Sequence, residues 1–164
     1  MKTLYEVELQ FYKPENFESL KAFILPEEQE QFTALPIEML EITHERHPIV
    51  ILSKNELVGF FVLHSSAIVK EYTENPHSML LTALSINYAQ QGKGYAKKGM
   101  ELLKGFVDQE FPECNEIVLA VNKRNIPAQK LYEKVGYKDT NRRKMGQLGE
   151  QLILRLSLWN RPFI

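Results

Sequence analysis

The sequence predicts an α/β (α+β) fold, with about seven strands and about four helices in a single domain spanning residues 1–164. Three observations carry that prediction. Short apolar runs bounded by turn residues recur along the chain. Two of them lead through a turn into a stretch with helical periodicity, and the last two form an adjacent pair around Gly146 and Gly149. A chain of 164 residues with 44% apolar content can bury a proper core. It contains no Gly/Ser-rich or Pro-rich linker, low-complexity run or internal repeat that would divide it.

Thr3 to Phe11 alternates as a first strand, which Pro14 ends. Asn16 is placed to cap a short helix through Phe17, Leu20, Phe23 and Ile24. Pro26 opens a second helical stretch, Glu27 to Leu35, with acids in its first turn where the helix dipole favours them, and Pro36 closes it. His47 to Ser53 and Leu57 to His64 read as a hairpin around the polar turn Lys54-Asn55-Glu56. Gly59 there marks a bulge or a close approach. Ala67-Ile68-Val69 reads as an extension of the second strand, and Glu74-Asn75-Pro76 as a loop.

The run Met79 to Ile86 is apolar enough for a buried strand, and Gln91-Gly92-Lys93-Gly94-Tyr95-Ala96 follows it. Glycines at 92 and 94 let the backbone bend tightly and come close to a ligand. Ala96, Met100, Leu103 and Val107 then recur at helical spacing, with Leu102 and Phe106 widening the stripe, until Phe111-Pro112. Unpaired N–H groups at such a helix start, with the dipole behind them, suit a phosphate or pyrophosphate. A glycine turn of this kind also serves simply as a tight connection. The dinucleotide fingerprint is excluded because Lys97 stands where its third glycine belongs, and the P-loop pattern is absent.

Glu116 to Val121 is the next strand, and Asn125 is a good N-cap for the helix after it. Pro127 is tolerated in the first turn, and Gly136 suits the left-handed residue that ends a helix. Asn125, Ala128 and Tyr132 share one helix face, while Leu131 and Val135 supply a second, apolar one. Tyr137 to Lys144 and Glu150 to Leu158 form the closing antiparallel pair. Trp159 to Ile164 is a tail with no assigned element.

Both patterns resemble motifs of the GNAT superfamily of acyl-CoA-dependent N-acetyltransferases. Gln91, Gly94 and Ala96 match its [Q/R]-x-x-G-x-[G/A] motif, and Leu84 and Ile86 match the L-x-V before it. Asn122, Asn125, Ala128, Leu131, Tyr132, Lys134, Gly136 and Tyr137 match its N-x-x-N-x-x-A-x-x-L-Y-x-K-x-G-[FY] pattern. The resemblance implies a mixed, largely antiparallel sheet splayed at its centre. It also implies an N-acetyltransferase that uses acetyl-CoA as cosubstrate, without a metal, and transfers acetyl to a primary amine by direct attack in a ternary complex.

On that reading Leu84, Ser85 and Ile86 offer backbone to the pantetheine arm, and an N–H near Leu84 polarises the thioester carbonyl. Gln91, Gly92, Lys93, Gly94, Tyr95 and Ala96 hold the pyrophosphate, Asn125 contacts the arm, and Ala128 is small enough to let it pass. Tyr132 is the expected catalytic residue, a phenol that protonates the departing thiolate. Some family members carry a glutamate at the start of the central strand. This chain has Ser78-Met79-Leu80-Leu81 there, which leaves the base open between His77, Glu71 and a water chain. The same fold without turnover would make an acyl-CoA sensor or interaction module, the alternative reading.

Net charge is −1, which does not indicate a nucleic-acid or membrane partner. Residues 1–50 hold four Lys/Arg against ten Glu, whereas residues 51–164 hold sixteen against eleven Asp/Glu. The basic part contains both motifs and suits a polyanionic cofactor; the acidic part suits a small-molecule or peptide amine, or is simply a solvated face. The start of the chain lacks a signal-peptide core, no run is apolar enough to span a membrane, and the single Cys114 fits a reducing cytoplasm. An exposed edge strand would offer a route to a homodimer. His44 and His47 lack the company a metal site needs, Cys114 reads as a small buried residue, and Arg142-Arg143-Lys144 as a solvated face.

Overall fold

A computed structural model describes residues 6–32 and 35–158. Strands β1 (Val7–Phe11), β2 (Arg46–Ser53), β3 (Glu56–His64), β4 (Ser78–Ile86), β5 (Glu116–Asn122), β6 (Lys138–Gly146) and β7 (Gly149–Ser157) form one sheet in the order β1-β2-β3-β4-β5-β7-β6. Helices α1 (Phe17–Lys21) and α2 (Glu27–Glu30) precede β2. Helices α3 (Tyr95–Glu110) and α4 (Ile126–Lys134) flank β5 in the chain. Every neighbouring pair is antiparallel except β4 and β5, which the crossover through α3 sets parallel.

Local chemistry explains the hairpins. Lys54 and Asn55 both take left-handed conformations, at φ 52° and 69°, as a two-residue turn matching the strand twist requires. In β3 an extra residue enters the ladder at Val58, since Ile51 faces Gly59 while Leu52 faces Leu57. Gly59 is also a close approach: a Cβ there would lie 2.7 Å from Ile86 Cδ1 and 2.8 Å from Ile51 Cδ1.

Alternation along the strands divides the core between two faces. On one, Met100, Leu103 and Val107 of α3 pack with Ile49, Ile51, Phe61, Met79, Leu81 and Leu119, and Tyr132 and Tyr137 join the same cluster. On the other, Leu20 and Phe23 cover Val50, Leu52, Phe60 and Val62, and Val69 covers Leu80 and Val118.

The structure differs from the expectations in four places. The first strand starts at Val7, and residues 1–5 lie outside the described range. Asn16 does not cap α1; its Oδ1 accepts from the Lys13 N–H at 2.8 Å, and the helix ends at Lys21. Helix α2 stops at Glu30, and Pro36–Glu38 forms a 3-10 turn instead of ending a longer helix. Ala67–Glu71 is a 3-10 turn rather than more strand, because Val69 is needed over Leu80 and Val118. The tail 159–164 is outside the described residues.

Cys114 is buried, and its thiol donates to the Glu116 carbonyl at 3.3 Å. His47 packs at a tilt against Phe11 and Phe111, with ring centroids 6.2 and 4.9 Å away. Among the described residues no group of three or more His, Cys, Asp or Glu is placed to hold a metal ion, and no helix is long and apolar enough to cross a membrane.

Candidate active site

The site begins where the sheet stops being a sheet. Strands β4 and β5 pair only at Ser78–Glu116, Met79–Ile117 and Leu80–Val118. Beyond that β4 stays with β3 and β5 stays with β7 as far as Asn122, so the two diverge. A bulge sharpens the divergence. Phe60 faces Ser85 but Val62 faces Thr82, which puts an extra residue into β4, and Ala83 there sits at φ 61°. The Ser85 hydroxyl donates to the Ala83 carbonyl at 2.9 Å and holds the bulge.

The gap opens into a cavity of about 1000 Å³. One wall is Leu81 to Ile86, and the other is Leu119 to Asn122 with the first two turns of α4. The glycine turn closes one end. Gly92 and Gly94 are left-handed, at φ 78° and 85°, and Gly94 is the residue from which α3 starts. An added Cβ at either would meet no heavy atom within 4 Å, so the backbone there faces open space. Gln91 fixes this turn: its Nε2 donates to the Ile86 carbonyl at 2.9 Å. Tyr95 lines the cavity while its hydroxyl accepts from Ser53 Oγ at 3.2 Å.

Of the residues expected at the cofactor, Leu84, Ser85, Ile86, Gln91, Gly92, Gly94, Tyr95, Ala96, Asn125 and Ala128 all line this one cavity. Lys93 does not; its ammonium donates to Gln90 Oε1 at 3.2 Å. Asn125 caps α4 by accepting from the Ala128 N–H at 3.3 Å. Tyr132 lines the cavity from the same helix and is 8% exposed, its ring 5.3 Å from that of Tyr137. Burial pushes the Tyr132 phenol well above its ordinary range, so it keeps its proton at neutral pH. That is the form able to donate.

Several lining residues were not read from the sequence. Lys97 and Arg124 bring positive charge, and Glu28 is the carboxylate of the lining among the described residues. Gln29 and Phe32 arrive from the α2 segment, and Gln147, Leu148 and Gln151 from the β6–β7 hairpin. Arg124 ties these together: its guanidinium lies 5.8 Å above the Phe32 ring and donates to the Leu148 carbonyl at 3.2 Å. Asn122 donates to the same carbonyl at 3.2 Å. Glu71 and His77 do not line the cavity, and Glu71 pairs with Lys144 at 3.2 Å.

A family model described as the acetyltransferase (GNAT) family matches residues 4–137. The chain belongs to that family. A Bacillus subtilis (strain 168) protein described as the uncharacterized N-acetyltransferase YbbJ is 48% identical over 153 residues, covering 91% of this chain and 96% of its own. Among solved structures, AAC(6′)-Ib in complex with coenzyme A and kanamycin superposes with a TM-score of 0.76 at 16% identity, over 92% of this chain and 94% of that one. The same enzyme with paromomycin and acetyl-CoA gives 0.76 at 15% identity, over 97% and 98%. A spermidine N-acetyltransferase SpeG chimera from Vibrio cholerae and hSSAT gives 0.65 at 16%, over 94% and 97%. These structural likenesses carry the GNAT fold: a mixed seven-stranded sheet with four helices, parted at its centre.

Proposed function

We propose that this GNAT acetyltransferase moves the acetyl group of acetyl-CoA to a primary amine by direct attack, with both substrates bound together. One observation carries the reading: the glycine turn before α3 and Tyr132 line the same cavity, between strands that no longer pair. The edge of β4 beyond Leu80 is free to bond an extended pantetheine arm as an added strand would. N–H groups of Gly92 to Ala96, with the dipole of the 16-residue α3 behind them, suit the pyrophosphate. Lys97 and Arg124 add cations to the lining.

The chemistry then follows from placement. The amine nitrogen attacks the thioester carbon, the carbonyl oxygen gains charge beside the β4 backbone near Leu84, and the C–S bond breaks. The Tyr132 hydroxyl, held protonated by burial, gives its proton to the thiolate. An alkyl amine with a pKa near 10.4 must first lose a proton, a cost of about 4–5 kcal/mol at pH 7. Direct transfer avoids a second acyl carrier, and Cys114 is buried outside the cavity lining.

For the acceptor, Glu28 favours a small cationic amine, in keeping with the aminoglycoside and spermidine named for the structural neighbours. Edge strand β6 carries Lys138, Arg142, Arg143 and Lys144, which discourages edge pairing, so a homodimer built that way would use β1. A reducing cytoplasmic setting suits the unbridged cysteine and the cosubstrate.

Thiol release from acetyl-CoA against a panel of polyamines, aminoglycosides, amino acids and N-terminal peptides tests the proposal. Turnover on an amine, with the acetylated product seen by mass spectrometry, is the expected result. Calorimetric binding of acetyl-CoA without turnover on any acceptor would replace it with the sensor reading.

A further inference from the structure

The acetyl-transfer reading supplies a proton donor for the sulfur but leaves the proton of the acceptor nitrogen without a destination. Neither Glu71 nor His77 lines the cavity. A different pair does reach it. Thr82 lines the cavity on β4, next to Leu81, and successive strand residues point to opposite faces. Leu81 packs in the cluster that contains Tyr132, so Thr82 faces the other side, that of its β3 partner Val62, which packs with Leu20 of α1. There its Oγ1 lies 2.8 Å from His64 Nε2. His64 is 7% exposed, at the end of β3, and takes no part in the steps described above.

We propose that Thr82 and His64 form the proton exit for the acceptor nitrogen, on the opposite face of the parted sheet from Tyr132. The inference rests on the acetyl-transfer reading. The amine arrives as the free base and its lone pair forms the C–N bond. The nitrogen, made strongly acidic by bonding to the acyl carbon, passes a proton to Thr82 Oγ1 as the hydroxyl proton moves to His64 Nε2. The C–S bond breaks and the thiolate takes the Tyr132 proton. Water then returns a proton to Tyr132 and removes one from His64, so the cycle closes without any other reagent. Thr82 touches the reacting nitrogen. His64 acts through it as a positioning residue that aims the hydroxyl and takes up its proton.

The surroundings of His64 suit the role. Burial, reinforced by the nearby charges of Arg46 and His47 on β2, pulls its pKa down to about 4, so the ring is neutral and ready to accept at neutral pH. A base this weak cannot strip an alkylammonium ion. It can take the proton of a nitrogen already bonded to the acetyl carbon, and it gives that proton up to water quickly. Separating the two proton sites by the thickness of the sheet also keeps the donor from being neutralised by the acceptor.

The test measures thiol release with acetyl-CoA and either spermidine or kanamycin, and acetyl-CoA binding by calorimetry, for His64→Gln, Thr82→Val and Thr82→Ser. Gln keeps an acceptor for the Thr82 hydroxyl but cannot be protonated, Val keeps the shape of Thr without its oxygen, and Ser keeps the oxygen. Expected are about tenfold or larger losses of kcat for His64→Gln and Thr82→Val, near-normal kcat for Thr82→Ser, and acetyl-CoA affinity within about twofold throughout. The His64→Gln/Thr82→Val double variant should fall no further than either single, because the two act as a unit. Wild-type kcat in His64→Gln or Thr82→Val overturns the proposal, as does a matching loss of acetyl-CoA affinity. A wild-type protein that binds acetyl-CoA but acetylates neither amine would instead contradict the acetyl-transfer reading for these acceptors.

Discussion

Gln29 and Gln91, 62 positions apart, hold each other by two amide hydrogen bonds, of 2.9 and 3.2 Å. The Gln91 amide simultaneously reaches the Ile86 carbonyl, so one side chain fixes the glycine turn to the end of β4 and to the α2 segment. Gln29→Ala breaks only the exposed pair and should cost less than about 1 kcal/mol in urea denaturation. Gln91→Ala also leaves the Ile86 carbonyl without that donor and should cost more. It should weaken acetyl-CoA binding several-fold by calorimetry, where Gln29→Ala changes it less.

Tyr132→Phe removes one oxygen and keeps the ring against Tyr137. Stability should hold, and acetyl-CoA affinity should change by no more than about twofold. With chemistry limiting, kcat should drop about tenfold or more, the scale of general acid catalysis. Unchanged single-turnover rates would remove the phenol from the reaction.

Acid should destabilise the protein through His64. Its folded pKa is near 4 against 6.5 for the free side chain, so between those values the unfolded chain binds a proton that the folded one refuses. Stability from this residue is therefore complete above pH 6.5 and is lost as pH falls toward 4. Thermal melts of His64→Gln across that range should show a shallower decline than the wild type.

Two glycines should fail for opposite reasons. At Gly94 there is room for a side chain, but φ 85° strains any residue with a Cβ, by about 1–2 kcal/mol. Gly94→Ala should therefore weaken acetyl-CoA binding with modest loss of stability. Gly59→Ala meets two isoleucine methyls and the Ser85 carbonyl at 3.2 Å, an overpacking worth about 1–3 kcal/mol. Its effect should appear as a lower urea midpoint.

What the sequence revealed follows from how locally each feature is encoded. The strand, glycine turn and helix at 79–110, and the capped helix from Asn125, are contiguous patterns, and the structure forms them with nearly the expected bounds. Ala67-Ile68-Val69 was misleading because β-branched residues favour strands, yet packing on Leu80 and Val118 decided its shape. The Arg124–Phe32 and Thr82–His64 contacts, and the entry of the β6–β7 hairpin into the lining, join distant parts of the chain. No periodicity or spacing marks such meetings; the sheet order creates them.

The three rungs between β4 and β5 join two sub-sheets, β1 to β4 on one side and β5 to β7 on the other. Leu80 and Val118, each 1% exposed, stand at that seam under Val69, outside the cavity lining. Their packing sets the angle at which the two sub-sheets lean apart, as a rivet sets the spread of a pair of tongs. Small changes of volume there should thus alter the grip on a substrate they never touch.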